Sequence, residues 1–464
     1  MLPQKATPFW IGSILVLAFM IPMLIAGYSS LRQAEEAEAQ MEYQRAAESY
    51  AHAARFLFWR SDLPEKAAIA SARAGEYSAA IGYFGKGENL SEQGWLWLCT
   101  SHIQLDDLPS AISACNDGIK KYESADLYGL LAFIHRSQND WAAEQDALEN
   151  QTRLNPADAY AAYRLGLLLT LSAPEGALPE LTRASTLNPE VDSAVQTLRA
   201  ALAVSSQQRD PSMQKVVIGQ AFGLVQDWQL AQTAFEQAVQ INEKNAEAWA
   251  WLGEAKQQTG QGGSAELDRA LSLDPYSVNV RALRGLYWSR QGRYEQMLAE
   301  YLLASEIEPE NPRWRASIGE AYTKLGDLVA ALAAYQRAVE LSPAQAEYWR
   351  LLALFCVENN VQTEEIGLPA AQYALALAPN DPAVLDTQGY VYLSTGRYAN
   401  AELSFMKAIG IAPEYFPAHV HLAMNYLAQG NRAAAFNSLT YVRDADETGV
   451  YAELARQLLD KYFR

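Results

Sequence analysis

The sequence predicts an all-α fold in which helical hairpins stack one on another behind a single N-terminal transmembrane helix. Two observations support this prediction: an uncharged apolar run near the N-terminus, and a motif that returns about every 34 residues through most of the chain. A chain of 464 residues exceeds the size at which one hydrophobic core keeps growing, so several domains or a repeat array are expected.

Composition excludes several classes of protein. Half of the residues are hydrophobic and 19% are charged, with 27 Gly and 19 Pro, which argues against bulk disorder and collagen-like structure. The formal net charge of -18 would repel phosphate backbones, so nucleic acid is not an expected partner. With three Cys and five His in the whole chain, neither a metal site nor a cofactor is expected.

The apolar run covers residues 8–28 and follows a short tail at residues 1–7. Its 21 residues carry no charge, and a helix of that length is about 30 Å long, which matches a bilayer core. Trp10 and Tyr28 near its ends suit the two membrane interfaces. A cleaved secretory signal is the alternative, but no A-x-A-like site directly follows the run. Lys5 favours an inside N-terminus, which predicts a single-pass membrane protein with an extracytoplasmic array.

A repeat with a period near 34 residues follows the apolar run. Prolines that end its units stand at Pro275, Pro309, Pro343, Pro379 and Pro413, spaced 34, 34, 36 and 34 apart. Each clear unit has a small residue, then an aromatic one, in the first helix, and Ala, an aromatic residue and Ala in the second. In two units these are Gly319, Tyr322, Ala331, Tyr335 and Ala338, and Gly389, Tyr392, Ala401, Phe405 and Ala408. This pattern resembles the tetratricopeptide repeat family, membrane-anchored bacterial members included, and the resemblance implies a right-handed superhelical solenoid.

The spacing has a mechanical reason. Two helices approach closely only where small residues face one another, so Gly319 and Ala331 permit contact while Tyr322 and Tyr335 fill the flanking space. Where the first helices must stop, glycines suited to a left-handed cap are found, namely Gly260, Gly292, Gly326, Gly396 and Gly430.

The repeat sets the expected domain boundaries. A degenerate array is predicted at 31–189, an extra helix or a hinge at 190–211, the clear array at 212–447 and a capping helix at 448–464. Together these amount to about eleven or twelve hairpins.

Catalytic signatures are absent. The chain has no Gly-rich phosphate loop, H-E-x-x-H, G-x-S-x-G or Cys-x-x-Cys, so no enzymatic activity and no small-molecule substrate are expected. His419 and His421 lie two apart on one predicted helix and should face different ways, one in the core and one in solvent. Cys99 and Cys115 could face each other across a hairpin, and two buried thiols are favoured over a disulfide.

A binding surface is implied by the resemblance, which places certain first-helix positions on a concave groove. In the last units these positions are apolar, namely Leu354, Val357, Tyr390, Leu393, Val420, Met424 and Leu427. The preceding units offer a polar stretch that includes Arg290, Arg313, Glu320 and, beside them, Lys324. We expect the apolar part to hold a peptide segment or helix of a protein partner and the polar part to fix its register. The alternative is that the capping helix or the insertion fills the groove.

These expectations define a membrane-anchored scaffold or adaptor. The family members that bind acidic chaperone tails line their grooves with Lys, Arg and Asn, whereas this sequence has Leu, Tyr and Met there, which argues against such a partner. The resemblance extends to membrane-anchored bacterial repeat proteins in envelope assembly or maturation. A structural subunit built permanently into a larger membrane complex is the alternative function.

Overall fold

The computed structural model describes residues 8–85, 89–446 and 449–463, and the regular structure in these ranges is helical throughout. Two short elements of other type, a 3-10 turn at Pro189–Val191 and a π-helical turn at Thr363–Gly367, accompany the α-helices. The α-helices are α1 (Pro8–Ala39), α2 (Tyr43–Phe56), α3 (Asp62–Arg73), α4 (Tyr77–Phe84), α5 (Glu92–Gln104), α6 (Leu108–Tyr122), α7 (Ala125–Ser137), α8 (Trp141–Leu154), α9 (Ala159–Ser172), α10 (Pro174–Leu187), α11 (Asp192–Gln207), α12 (Pro211–Leu224), α13 (Trp228–Ile241), α14 (Ala246–Gln258), α15 (Ser264–Leu273), α16 (Val278–Arg290), α17 (Tyr294–Ile307), α18 (Pro312–Leu325), α19 (Leu328–Leu341), α20 (Ala346–Glu358), α21 (Leu368–Leu377), α22 (Pro382–Ser394), α23 (Tyr398–Ile411), α24 (Phe416–Ala428), α25 (Arg432–Ala445) and α26 (Val450–Phe463).

The chain divides into two compact units, residues 1–234 and 235–464, and the division falls within α13. The segment 190–211 lies inside the first unit, where α11 packs against α10 and α12. This part of the predicted insertion is therefore helical. The predicted capping segment contains α26, which packs against α25.

The N-terminal helix differs from the predicted anchor. Helix α1 runs for 32 residues and continues through Arg32 and Glu35, and Leu31, Ala34 and Ala37 on it are buried in one cluster with residues of α2 and α3. The tail at 1–7 and the side chains of residues 8–17 and 19 lie outside the described residues.

In the described part of the chain, no helix combines the length and the apolar character needed to cross a bilayer. The predicted transmembrane helix at 8–28 therefore lacks support. The predicted location, a single-pass membrane protein with its N-terminus inside and an extracytoplasmic array, is wrong on this finding.

Close approach of small and aromatic residues forms the hairpins of the second unit, as the repeat predicts. A Cβ built on Gly319 would lie 2.9 Å from ring carbons of Tyr335, and one built on Gly389 would lie 2.5 Å from a ring carbon of Phe405. Tyr335 and Phe405 are buried, so their rings fill the space that the missing side chains leave.

Both ends of the first helices are fixed by local contacts. All five predicted cap glycines have positive φ, from 68° at Gly292 to 81° at Gly326, so that prediction is confirmed. At the other end, a side chain near the start of the first helix reaches back six residues to the preceding loop. The indole N–H groups of Trp249 and Trp349 donate to the carbonyl oxygens of Glu243 and Pro343 at 2.9 and 2.8 Å.

A disulfide joins the α5–α6 hairpin. Cys99 and Cys115 are bonded with their Cα atoms 5.5 Å apart, so the favoured pair of free thiols is wrong. The two helices meet closely enough at the small and aromatic repeat positions for the two sulfurs to bond. Cys356 is the free cysteine of the described residues and is buried.

A buried charge cluster lies in the first unit. The guanidinium of Arg164 on α9 donates to both carboxylate oxygens of Glu144 on α8, at 2.6 and 3.0 Å, and also to Asp227 before α13. Arg164 and Glu144 are almost completely buried, and each charge compensates the other in a place where an unpaired charge would be costly. The cluster thereby joins α8 and α9 to the turn that precedes α13.

Candidate functional site

A groove of about 630 Å³ lies between the first helices of two successive hairpins in the second unit. Its walls come from α18 and α20, with one ring from α19. It is lined by Arg313, Ala316, Ser317, Glu320, Thr323, Lys324, Tyr335, Glu347, Tyr348, Leu351, Leu354 and Glu358. Four of the predicted binding residues, Arg313, Glu320, Lys324 and Leu354, are therefore brought together. The volume lies within the range of ordinary ligand sites.

The two walls run in the same direction. Arg313, in the first turn of α18, is close enough to Tyr348, in the first turn of α20, to oppose the rise that burial causes in the pKa of that phenol. At the opposite end, Lys324 acts in the same way on Glu358, whose pKa desolvation raises. Both helices thus present their N-termini to one end of the groove and their C-termini to the other.

Ion pairing leaves several charges of the groove available. Glu347 receives two hydrogen bonds from the Arg350 guanidinium, at 2.9 and 2.8 Å, and is neutralised by it. Arg313, Glu320, Lys324 and Glu358, in contrast, make no ion pair within 4.0 Å to any residue that the structure describes. Charged groups that make no ion pair on a concave surface are suited to recognising a charged ligand.

Arg290 contacts first-helix residues of the preceding hairpin. Its guanidinium donates to both carboxylate oxygens of Glu254, each at 2.7 Å, and to the amide oxygen of Gln257 at 2.6 Å. This contact joins α16 to α14. Arg290 is thus engaged within the protein, and it is absent from the lining of the groove between α18 and α20.

Two of the seven residues in the predicted apolar strip are buried within the protein. Val357 and Val420 are buried, with 7% and 2% of their surface exposed, because Val357 packs with Val391 of α22 and Val420 packs with α25. They are not available to a partner in this structure. Leu354, Tyr390 and Leu393 are half-buried beside these cores.

The far end of the predicted strip lies beside the last helix. Met424 and Leu427 are half-buried against a cluster that includes Ala455, Leu458 and Leu459 of α26. This arrangement favours the capping helix as the neighbour of these two side chains. Binding of a partner by the apolar strip stays a prediction.

The two histidines of α24 make contacts that the sequence did not predict. His421 Nδ1 lies 2.8 Å from Asp386 Oδ1, and its ring stacks on Tyr390 with the ring centroids 4.5 Å apart. His419 donates through Nε2 to the Pro413 carbonyl oxygen at 2.8 Å, and burial lowers its pKa. Both rings are half-buried, whereas one buried and one exposed ring were expected. The pairing with Asp386 spans 35 residues, about one repeat, so it joins nearly equivalent positions of neighbouring hairpins.

Nothing in this region resembles a metal centre. Within the described ranges, no group of three or more His, Cys, Asp or Glu side chains is arranged to hold a metal ion.

Stacked helical hairpins with a groove between their first helices define a helical-repeat protein. Two segments of the second unit match tetratricopeptide-repeat models: a family model described as TPR repeat matches residues 319–356, and one described as tetratricopeptide repeat matches residues 383–415. Proteins of this family and fold act as scaffolds and adaptors and are generally not enzymes, in agreement with the prediction for this chain.

Parts of this chain are similar to known proteins. The chain is 25% identical over 230 residues to tetratricopeptide repeat protein 37 of Xenopus laevis, a match that covers 47% of this chain and 13% of that protein. It is 28% identical over 175 residues to human cilia- and flagella-associated protein 70, which covers 37% of this chain and 15% of that protein. The matches thus span less than a sixth of either relative. The crystal structure of yeast Tom70 aligns with 80% of this chain and 95% of its own at 13% identity, with a TM-score of 0.45.

Proposed function

We propose that this protein is a scaffold that binds a segment of a partner protein in the groove between α18 and α20. The observation that supports it most directly is the lining of that groove, where charged side chains without ion-pair partners surround half-buried Leu351 and Leu354. Binding sites for peptides commonly combine an apolar centre with a charged or polar rim.

The hairpins give the groove its rigidity. Leu351 and Leu354 form the floor of the groove. Both pack against the hydrophobic cluster that contains Leu352 and Phe355. A surface that is ordered before binding loses little conformational entropy when the partner arrives, which favours recognition of a short segment.

A library of displayed peptides tests the proposal with two matched variants of the full chain. Ser317→Trp places an indole in the groove, whereas Ala333→Trp places one on the exposed face of α19. Peptides selected on the wild-type chain should lose at least tenfold in affinity for Ser317→Trp and be unchanged for Ala333→Trp. If no selected peptide distinguishes the two variants, the proposed site is wrong.

One observation favours the alternative function, a subunit built permanently into a larger assembly. On α23, Leu403 and Met406 lie three residues apart on one face and are 70% and 55% exposed. Exposed apolar residues of this size are commonly covered in the assembled state. A permanent subunit would aggregate when purified alone, and the change of both residues to Ser would prevent it; a monodisperse wild-type chain would contradict this alternative.

A further inference from the structure

An exposed apolar surface lies on α1 and on the loop that joins α2 to α3. Phe58 and Trp59 of the loop are 78% and 48% exposed, and their rings meet edge to face with the centroids 5.2 Å apart. On α1, five large side chains belong to residues that are between 40% and 66% exposed, namely Met20, Ile21, Met23, Ile25 and Tyr28. These seven residues are called the N-terminal apolar surface.

The two segments of the N-terminal apolar surface are in contact. A Cβ built on Gly27 of α1 would lie 2.7 Å from the side chain of Leu57, so the loop begins directly against the helix. Near the end of the loop, the Arg60 guanidinium, whose pKa is raised by its hydrogen bonds to Asp62, is also within electrostatic reach of Tyr28. The two aromatic residues of the loop lie between these contacts in the sequence, so they extend the surface of α1.

The outward face of α1 carries a stripe of this surface. Ile21, Ile25 and Tyr28 are four and three residues apart, so their side chains lie on one face of the helix. Gly27 and Leu31 lie on a different face and are buried against the rest of the first unit. The stripe is therefore left for contacts outside this chain.

The surface has the size of a dimer interface. A large apolar or aromatic side chain presents about 200 Å² when it is fully exposed, so the exposed parts of the seven residues amount to roughly 800 Å². Specific interfaces bury about 800 Å² on each partner, whereas the largest apolar patch of a typical monomer covers about 300–600 Å². The aromatic and Met side chains of the surface belong to the residue types that are enriched at interfaces between proteins.

The surface carries little charge, although the formal net charge of the chain is -18. The sequence from Met20 to Leu31 contains no charged residue. Arg60 is neutralised by Asp62 through two hydrogen bonds at 2.7 and 2.8 Å, and Arg55 lies at the border beside Phe58. A second copy can therefore meet this surface while few like charges oppose one another.

We infer that this protein forms a homodimer through the N-terminal apolar surface. The stripe of α1 packs against the same stripe of the second copy, and Phe58 and Trp59 close the edge of the interface. The contact is isologous, because each copy supplies the same residues that it receives. The inference is independent of the proposed function, since the groove between α18 and α20 lies in the second unit.

Analytical ultracentrifugation of the full chain at several protein concentrations measures the dissociation constant of the dimer. Ile25→Asp and Trp59→Asp should each raise this constant at least about tenfold, because each places a carboxylate in an apolar contact. Leu403→Asp on α23 is the matched control, since Leu403 is 70% exposed but lies outside the surface, and it should leave the constant unchanged. All three residues are exposed, so the variants should keep the helicity of the wild-type chain, which circular dichroism checks.

The salt dependence of the wild-type chain is a second test that needs no substitution. A rise from about 0.1 M to about 0.5 M NaCl screens the repulsion between two chains that each carry a net charge of -18, so the dimer should become tighter. A dimer held by ion pairs would become weaker instead, and this result would overturn the inference.

Three other results would also overturn it. The first is a wild-type chain that stays monomeric at about 50 μM, which would mean that something other than a second copy covers this surface. The second is a dimer that persists in both Ile25→Asp and Trp59→Asp. The third is a dimer that Leu403→Asp abolishes, which would favour the alternative function and its surface on α23. Sensitivity of bound peptides to Ser317→Trp tests the proposed function alone.

Discussion

Replacing Gly389 by Ala should destabilise the second unit, although alanine is the better helix former. Gly389 lies in α22 against the ring of Phe405 on α23. A Cβ there would be 2.5, 2.6 and 2.9 Å from three ring carbons, about 1 Å inside the optimal separation of two carbon atoms. Phe405 is completely buried, so its ring has no free space to move into.

The magnitude follows from two opposing effects. Extra atoms in a close-packed core cost about 1–3 kcal/mol, and the change from Gly to Ala within a helix gains about 1 kcal/mol. A net loss of up to about 2 kcal/mol in the free energy of unfolding is expected. Gly410 in α23 is the matched control, since a Cβ there meets nothing within 4 Å. Gly410→Ala should therefore stabilise the unit by up to about 1 kcal/mol.

Amide hydrogen exchange of α22 and α23 in the full chain gives the local opening free energy for both variants. Phe405→Leu in the Gly389→Ala background should restore part of the loss, because the smaller side chain leaves room for the new methyl group. The reasoning is refuted if Gly389→Ala protects these helices as well as Gly410→Ala does.

Three further outcomes are expected. Removal of the disulfide by Cys99→Ala with Cys115→Ala should cost about 3 kcal/mol, given the separation of 16 residues; equal unfolding of variant and wild type in urea would contradict this. Burial raises the pKa of the Cys356 thiol from 9.0 to about 11, so alkylation of the native protein by iodoacetamide at pH 8 should be slow; fast alkylation would contradict the burial. The free energy of unfolding that this thiol contributes should be complete below pH 9 and should be lost as the pH rises through 11. Arg164→Ala should destabilise the first unit by about 3–5 kcal/mol, because it leaves the buried carboxylate of Glu144 without its partner. The double variant Arg164→Met with Glu144→Gln should recover most of this loss. An unchanged opening free energy for Arg164→Ala would contradict the prediction.

The sequence was sufficient for the hairpins because their determinants are local. Gly319 and Tyr335, sixteen residues apart, meet as the repeat spacing requires, and the left-handed cap at Gly326 is dictated by its own residue type. Part of the binding surface was equally accessible, since Arg313 and Lys324 occupy first-helix positions that open into the groove.

The remaining errors come from contacts between elements. The position of Val357 in the repeat predicted that it lies on the surface. In the structure it is buried, because it belongs to one hydrophobic cluster with Val391 of α22, the first helix of the next hairpin. The contact between Asp386 and His421 joins nearly equivalent positions of two hairpins, but neither residue belongs to the small, aromatic and alanine positions of the repeat motif. The predicted anchor relied on residues 8–28 alone, whereas α1 extends beyond them and its later residues pack in the N-terminal core.

The back-reaching indoles at the loops have a consequence for how the second unit forms. Trp249 and Trp349 each close a ring of only six residues, and so short a closure costs little chain entropy. Each such ring can therefore arise before distant parts of the chain have met, which supplies several independent starting points for folding. Folding of such a chain can nucleate at any of these closures and propagate to the neighbouring hairpins. Loss of a single closure would therefore leave the other nucleation sites in place.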